Sequence, residues 1–536
     1  MASPIIVCVL ACLLLVSPSI ALAQLQEAWA NRHGRPGNST DVPGDMAIDA
    51  HGNVYVTGSL GISDAWDIST VKYAADGTLL WTATYNGPAG SFDAGRAIVV
   101  DAAGNVYVTG ESVASWDTGF DYVTIKYDVH GNALWVARFD GPGHSSDFAR
   151  AMAIDANGDI YVTGDSVAED GRANYATVKY NGDGTLQWVA YYDGPANRSD
   201  VARAVAVDAA GYIYVTGQSA GTVGTDYATV KYDLNGNQVW AARYTEPVSE
   251  HAGDAVAIAV DSAGCVFVTG AAGSVDARAY ATVKYDPEGN QLWVARFSPP
   301  DSIGARASAL VLDAAANVYV TGSFFEAATD FDWATIKYDT NGQEQWISRY
   351  NGPANAGDMA FDIAVSAAGH VYVAGSDFTT IKYDTDGNPL AVEQYNGSAG
   401  GTGRDATNIR VDAEDNVYVS GTVFETATGP DWLTIKYEQP GDPPKPYFML
   451  SVTKAGIGRG NVTSQPAGIM CGTDCGESYV SGTTVTLTAT PELGSIFTGW
   501  QGCDSTNGTS CTVTLGTARS VSAKFFGIPL KHPWKP

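Results

Sequence analysis

Asp121-Tyr-Val-Thr-Ile-Lys-Tyr-Asp-Val-His-Gly-Asn-Ala-Leu-Trp135 reads as a strand, a tight turn and a second strand, and the chain repeats it. Its Thr-(Val/Ile)-Lys-Tyr phrase ends at Tyr73, Tyr127, Tyr180, Tyr232, Tyr285, Tyr338, Tyr383 and Tyr437. A second phrase, Val-Tyr-Val-Thr-Gly and its variants, begins at Val54, Val106, Ile160, Ile213, Val266, Val318, Val371 and Val417. The steps between these starts are 52, 54, 53, 53, 52, 53 and 46 residues. Strand patterns alone, recurring at this period, predict a β-propeller with one four-stranded blade per repeat.

The pattern also predicts how the ring ends. The last repeat stops at Tyr437, where its Trp-bearing strand should follow. The missing strand matches Glu27-Ala-Trp29-Ala-Asn-Arg-His33 near the start of the chain. The expected fold is therefore all-β: an eight-bladed propeller over residues 24–437, closed by an N-terminal strand that pairs near Tyr437. Closure removes two sheet edges that would otherwise template aggregation.

Within a unit four strands are expected: a over Ala97–Val100, b over Val106–Thr109, c over Tyr122–Tyr127 and d over Leu134–Phe139. Short Asp/Gly turns, Asp101–Asn105 and Asp128–Asn132, join a to b and c to d, with Gly supplying positive φ. The b–c and d–a connections are longer and more varied, so one face is trimmed and the other rich in loops. Binding residues concentrate on loops carried by a rigid scaffold, which points to the b–c/d–a face. Unit seven departs from the rest, with a short b–c link at Gly375–Phe378 and Leu390 in place of Trp.

The candidate ligand-binding residues follow from that face. Asp93 and Arg96, Asp147 and Arg150, and Asp200 and Arg203 enter the innermost strand from the d–a loops and should ring the channel mouth. Asp45, Asp254, Arg306, Asp358 and Arg404 stand in related positions. The b–c segments offer Trp66, Trp116, Phe120, Phe324, Phe325 and Phe424 for stacking on a sugar or a peptide. Ion pairing that fixes loop shape, and rim packing, are the plainer readings of the two sets. The repeated lysines, among them Lys126 and Lys231, lie inside strand c and are expected to pair with a repeat Asp such as Asp101 or Asp121.

Residues 1–23 have an apolar run and an Ala21-Leu22-Ala23 end, the pattern of a cleaved signal peptide, although no Lys or Arg precedes it. A secreted or cell-surface protein is expected. The formal net charge of −28 argues against nucleic acid or anionic membrane as a partner. A Pro-rich linker, 438–446, leads to a Ser/Thr/Gly-rich β domain at 447–526 and a tail at 527–536. That domain holds Cys471, Cys475, Cys503 and Cys511, which in an exported chain read as two disulfides. Three pairings are possible; the local one, 471–475 with 503–511, is favoured.

No nucleophile phrase, zinc-protease motif or phosphate-cradling loop is present. The Asp-x-Asn/Asp-Gly turns lack the Glu that closes a calcium loop. No metal, cofactor or catalytic residue is expected. The reading is a non-catalytic, monomeric binding or adhesion scaffold for a glycan or an extracellular protein. The alternatives are a polysaccharide-acting enzyme using loop carboxylates and a purely structural envelope protein.

The phrases Gly-Asn-Val-Tyr-Val-Thr-Gly and Asp-Tyr-x-Thr-Ile-Lys-Tyr-Asp resemble the bacterial SBBP β-propeller repeat over roughly residues 25–437. The resemblance implies an exported or surface protein and carries over no catalytic residues. Gly458-x-Gly-x-Val462, Gly499-Trp500 and the four cysteines resemble the divergent internalin-type B repeat of bacterial surface proteins.

Overall fold

The computed structural model describes residues 25–527, apart from 36–38, 63–64, 116–118, 247–251, 275–276, 301, 396–403, 426–428, 440–446, 466–467 and 472–474. The expected signal peptide, Trp116, most of the linker and nearly all of the tail lie outside the described residues. Among the described residues no helix is long and apolar enough to cross a membrane.

Eight four-stranded antiparallel sheets make up residues 26–438. The first seven use residues 40–85, 93–139, 147–192, 200–244, 254–297, 302–350 and 360–394. In the second sheet strands a to d are Asp93–Val100, Val106–Ser115, Gly119–Tyr127 and Ala133–Phe139. The eighth takes its a, b and c strands from 404–438 and its fourth from Gln26–His33. That fourth strand pairs with strand c in the register Glu27↔Tyr437 and Trp29↔Lys436. Strand a of each sheet packs beside strand a of the next, and that of the eighth beside that of the first. The arrangement is propeller-like.

The b–c connections are shorter than the sequence indicates. Strands b and c continue past their motif phrases, so Trp66, Phe120, Phe324, Phe325 and Phe424 lie on strands rather than in loops. The irregular composition of Glu111–Phe120 hides this, although its two arms pair with each other, Ser112 with Asp121 and Val113 with Phe120. In the seventh sheet the hairpin is truncated, with Asp377 and Phe378 at positive φ.

One clamp joins sheet to sheet. The strand-d Trp donates its Nε1–H to a carbonyl in the c–d turn of the next sheet: Trp135 to Gly182 O at 3.1 Å, Trp240 to Pro287 O at 3.0 Å. The strand-c Lys reaches the same oxygen, Lys126 Nζ to Gly182 O at 3.0 Å and Lys231 Nζ to Pro287 O at 3.1 Å. Its ammonium also lies over the strand-b Tyr, 5.0 Å from the Tyr107 ring centre and 5.1 Å from Tyr214. The expected pairing with Asp101 or Asp121 is thus corrected for Lys126 and Lys231, while Lys179 does meet a repeat aspartate, Asp159 at 2.8 Å. Asp101 is occupied by the amides of Ala103 and Asn105 and by the Tyr107 hydroxyl, and Asp121 by Arg138. Each turn glycine completes the fit, since a side chain at Gly184 would enter the Trp135 indole and at Gly289 the Trp240 indole. The clamp repeats across the N-terminal strand: Trp29 Nε1 to Ala75 O at 3.1 Å and Lys436 Nζ to the same oxygen at 3.4 Å.

Residues 447–527 form two further four-stranded sheets that enclose one core of Leu450, Val452, Val462, Leu487, Val513 and Phe525. Cys471–Cys475 and Cys503–Cys511 are the disulfides, the local pairing. This module lies against the short-turn face of the first two sheets, where Tyr479 meets His51 edge-on with ring centres 5.1 Å apart.

Candidate functional site

The site begins with a glycine. The Gly ending each Val-Tyr-Val-Thr-Gly phrase faces strand a so closely that a Cβ would run into a backbone carbonyl: Gly110 into Ala94, Gly164 into Phe148, Gly217 into Val201. Strand a carries an extra residue at this level in all eight sheets, a β-bulge. A bulge re-aims the side chain it carries. The bulged residues are Gly44, Arg96, Arg150, Arg203, Val256, Ser308, Phe361 and Thr407. Six of them, from Arg96 to Phe361, line a cavity of about 1140 Å3 among the inner strands on the loop-rich face.

Arg278 and Arg306 join Arg96, Arg150 and Arg203 in the wall. Arg96 bonds Glu111 through Nε at 2.9 Å, and that contact raises its pKa. Arg150 pairs with Asp165. Arg306 Nη2 lies 3.0 Å from Asp254 Oδ2, while Arg203 Nε stands 3.4 Å from Asp254 Oδ1 without a hydrogen bond. Arg278 Nε is likewise buried with no hydrogen-bond partner among the described residues. Among the described residues five guanidinium groups thus face three direct carboxylate partners, Glu111, Asp165 and Asp254, in a chain whose net charge is −28. Phe325 and Phe331 on the sixth sheet, Phe361 on the seventh and Met359 just before it form the apolar side of the wall.

The sequence-predicted residues divide. Arg96, Arg150, Arg203 and Phe325 line the cavity. Asp93, Asp147 and Asp200 do not: each is 0% exposed and holds its own d–a loop. Asp93 accepts the Gly87 amide at 2.6 Å, Asp147 those of Gly141 and Val167 at 2.6 and 3.0 Å, and Asp200 those of Gly194 and Ala220 at 2.7 and 3.0 Å. Burial pushes the carboxyls of Asp93 and Asp147 up, against the amides that draw them down. The bulge turns each Arg inward while its Asp, three residues earlier at the start of strand a, is held by the amide of the preceding loop, so the two do not pair. Both Asp93 and Asp147 are fully buried and hold loop amides, so neither carboxylate faces the cavity.

Phe324 is 1% exposed and packs on Phe297 at 6.0 Å, so it is core. Phe424 is exposed. Trp66 and Phe120 belong to a ridge of half-buried rings across the first three sheets. Trp66 stacks on Phe92 at 5.3 Å, Phe92 meets Phe120 edge-on at 5.5 Å, and Phe120 meets Phe148, which lines the cavity, at 5.4 Å. Asp358 caps Gly352 as Asp93 caps Gly87. Asp45 instead faces inward. Arg410 bridges it at 2.8 Å and Asp362 at 2.7 Å, tying the eighth sheet to the first and the seventh. Phe148, Arg278, Phe331, Met359 and Phe361 were missed. The signal for the bulge position is one variable residue between two small ones, as in Gly95-Arg-Ala97 and Ala149-Arg-Ala151.

Residues 450–529 match the family described as the divergent InlB B-repeat domain. Among curated proteins, an uncharacterized WD repeat-containing protein, L264, of Acanthamoeba polyphaga mimivirus is 23% identical over 440 residues. The alignment takes in 63% of this chain and 29% of that protein, so the chain spans under a third of its relative's length. Among solved structures, Sqt1 of Chaetomium thermophilum superposes with a TM-score of 0.50 at 12% identity, covering 78% of this chain and 99% of the other. Sqt1 bound to the N-terminus of the ribosomal protein L10 gives 0.46 at 12%, covering 76% and 100%. The likeness is one of fold, that of propeller-like repeat proteins.

Proposed function

We propose that the chain is an eight-bladed propeller of the SBBP type, closed by its N-terminal strand. It serves as a non-catalytic binding scaffold outside the cytoplasm, secreted or on the cell surface. The observation that carries the binding reading is the cavity on the loop-rich face, where bulged arginines and phenylalanines converge on one space. Pockets of this kind, concave and largely apolar with a few convergent polar groups, are where ligands bind. The Ala21-Leu22-Ala23 pattern and the paired cysteines support export. The C-terminal module, on the opposite face, leaves this mouth uncovered and supports a role in attachment or display. The ligand is a glycan or an extracellular protein.

The test is an array of glycans and peptides probed with the purified chain and with Trp66→Ala, Phe120→Ala and Arg278→Gln variants. At least one ligand class should bind, with affinity lowered tenfold or more by a cavity or ridge variant whose melting temperature is unchanged. Binding that all three variants leave intact would place the site elsewhere.

A further inference from the structure

Two halves of the cavity differ in chemistry. Arg96, Arg150 and Arg203 are carried by three successive sheets, the second to the fourth. Phe361 stands on the seventh, with Phe325 and Phe331 of the sixth and Met359 around it, so the Phe361 sheet lies four places from that of Arg150 in a ring of eight. Arg278 and Arg306 extend the cationic arc to the sixth sheet. Among the described residues the Nε–H groups of Arg203 and Arg278 find no hydrogen-bond acceptor, and neither guanidinium is engaged in a bidentate carboxylate pair, which leaves their outer N–H groups able to take a carboxylate guest. Among the described residues neutral hydrogen-bonding side chains are nearly missing from the wall: Ser308 and Ser323 supply them, and no described Asn, Gln, Tyr, Trp or His lines the cavity.

That inventory discriminates between guests. A sugar ring presents several hydroxyls, each of which loses water on entry and needs a polar partner in return. Two serines and guanidinium groups already turned to Glu111, Asp165 and Asp254 do not supply them. An acidic peptide bearing large apolar side chains asks for what the wall offers, carboxylate partners on one side and phenylalanine and adaptable methionine on the other.

We infer that the loop-face cavity binds an extended acidic peptide segment with apolar side chains, its carboxylates on Arg203 and Arg278 and an apolar side chain against Phe361 and Met359. This rests on the loop-face reading above and names the class of its ligand. The test is fluorescence anisotropy of the purified chain with three probes: a labelled octapeptide alternating glutamate and phenylalanine, the same peptide with glutamine for glutamate, and a polyuronate oligomer. The acidic peptide should bind, tightest at low salt, and lose affinity tenfold or more in Arg203→Gln/Arg278→Gln. The glutamine peptide should bind at least tenfold more weakly to the unsubstituted chain. Phe361→Ser should weaken the acidic peptide fivefold or more while the melting temperature holds, as should Arg278→Gln alone. Equal binding of the two peptides overturns the inference. Arginine-dependent binding of the polyuronate without the peptide overturns the peptide class and leaves the loop-face reading standing. No response of any probe to these substitutions overturns both.

Discussion

Replacing Trp29 by Ala tests whether the N-terminal strand carries the same load as its internal counterparts. Trp29 donates Nε1–H to Ala75 O at 3.1 Å, lies against Gly77, and sits 5.9 Å from the Tyr73 ring. Truncating a fully buried Trp costs about 3–5 kcal/mol. Trp29 is half-buried, so about half of that applies, near 2 kcal/mol. The hydrogen bond adds about 0.5–1 kcal/mol, held low because Lys436 still reaches the Ala75 oxygen. The sum is about 2–3 kcal/mol. Trp240 is the internal reference, with the same bond to Pro287 O at 3.0 Å and the same glycine contact at Gly289. Urea unfolding of the two variants, followed by near-ultraviolet circular dichroism, should give losses equal to within about 0.5 kcal/mol, the usual scatter of independent sites. If Trp29→Ala keeps wild-type stability while Trp240→Ala loses about 2–3 kcal/mol, the N-terminal strand does not complete the eighth sheet and the closed ring is wrong.

His33, in the same strand, contacts Ser69 Oγ through Nε2 at 3.1 Å and packs on Trp432 at 5.0 Å. Burial lowers its pKa below the ordinary 6.5, outweighing the pull of Asp41. Below pH 6.5 the unfolded chain therefore takes up a proton that the folded one refuses. Stability from this group is full above that pH and is lost as the pH falls toward the folded pKa. Urea midpoints of wild type and His33→Asn at pH 7.0, 6.0 and 5.5 should diverge, with the wild type losing more; parallel curves would refute the assignment. Gly110→Ala should destabilise by about 1–3 kcal/mol, because the new Cβ meets the Ala94 carbonyl and the backbone at Gly95. Thermal unfolding of this variant with no loss would show that the glycine is not what admits the Arg96 bulge.

The architecture was legible because its signals are local and repeated eight times. The strand phrases, the Asp/Gly turns and the Trp29 segment each sit in a fixed order along the chain. Arg96, Arg150 and Arg203 were legible as channel residues for the same reason. Their Asp neighbours were misplaced, since sequence adjacency conceals the bulge that turns one residue inward and leaves the other capping the loop before it. The lysines were half legible: Lys179 and Lys382 do meet an aspartate, Asp159 and Asp415, whereas Lys126, Lys231 and Lys284 reach carbonyl oxygens, which no sequence pattern displays. Met359 and Phe361 were invisible because the neighbouring repeats carry other residues at their places, whereas Phe331 stands where Phe120 stands in the second sheet and was open to the same reading. Periodicity reveals what a scaffold shares and hides what a site makes singular.

The extra residue on each inner strand has a consequence for how such a molecule can change. The ladder resumes on either side of it, at Gly95 and Ala97 or at Ala202 and Ala204. Its side chain is therefore released from pairing while its Cα stays fixed by neighbours. Gly44 is barred from such change, since a Cβ there would strike the Gly95 carbonyl, but Arg96, Arg150, Arg203, Val256, Ser308, Phe361 and Thr407 act as seven dials on one rim. Each can be turned by a single codon, and selection or a designer can rewrite the preference of the rim one position at a time without recasting the body that holds it.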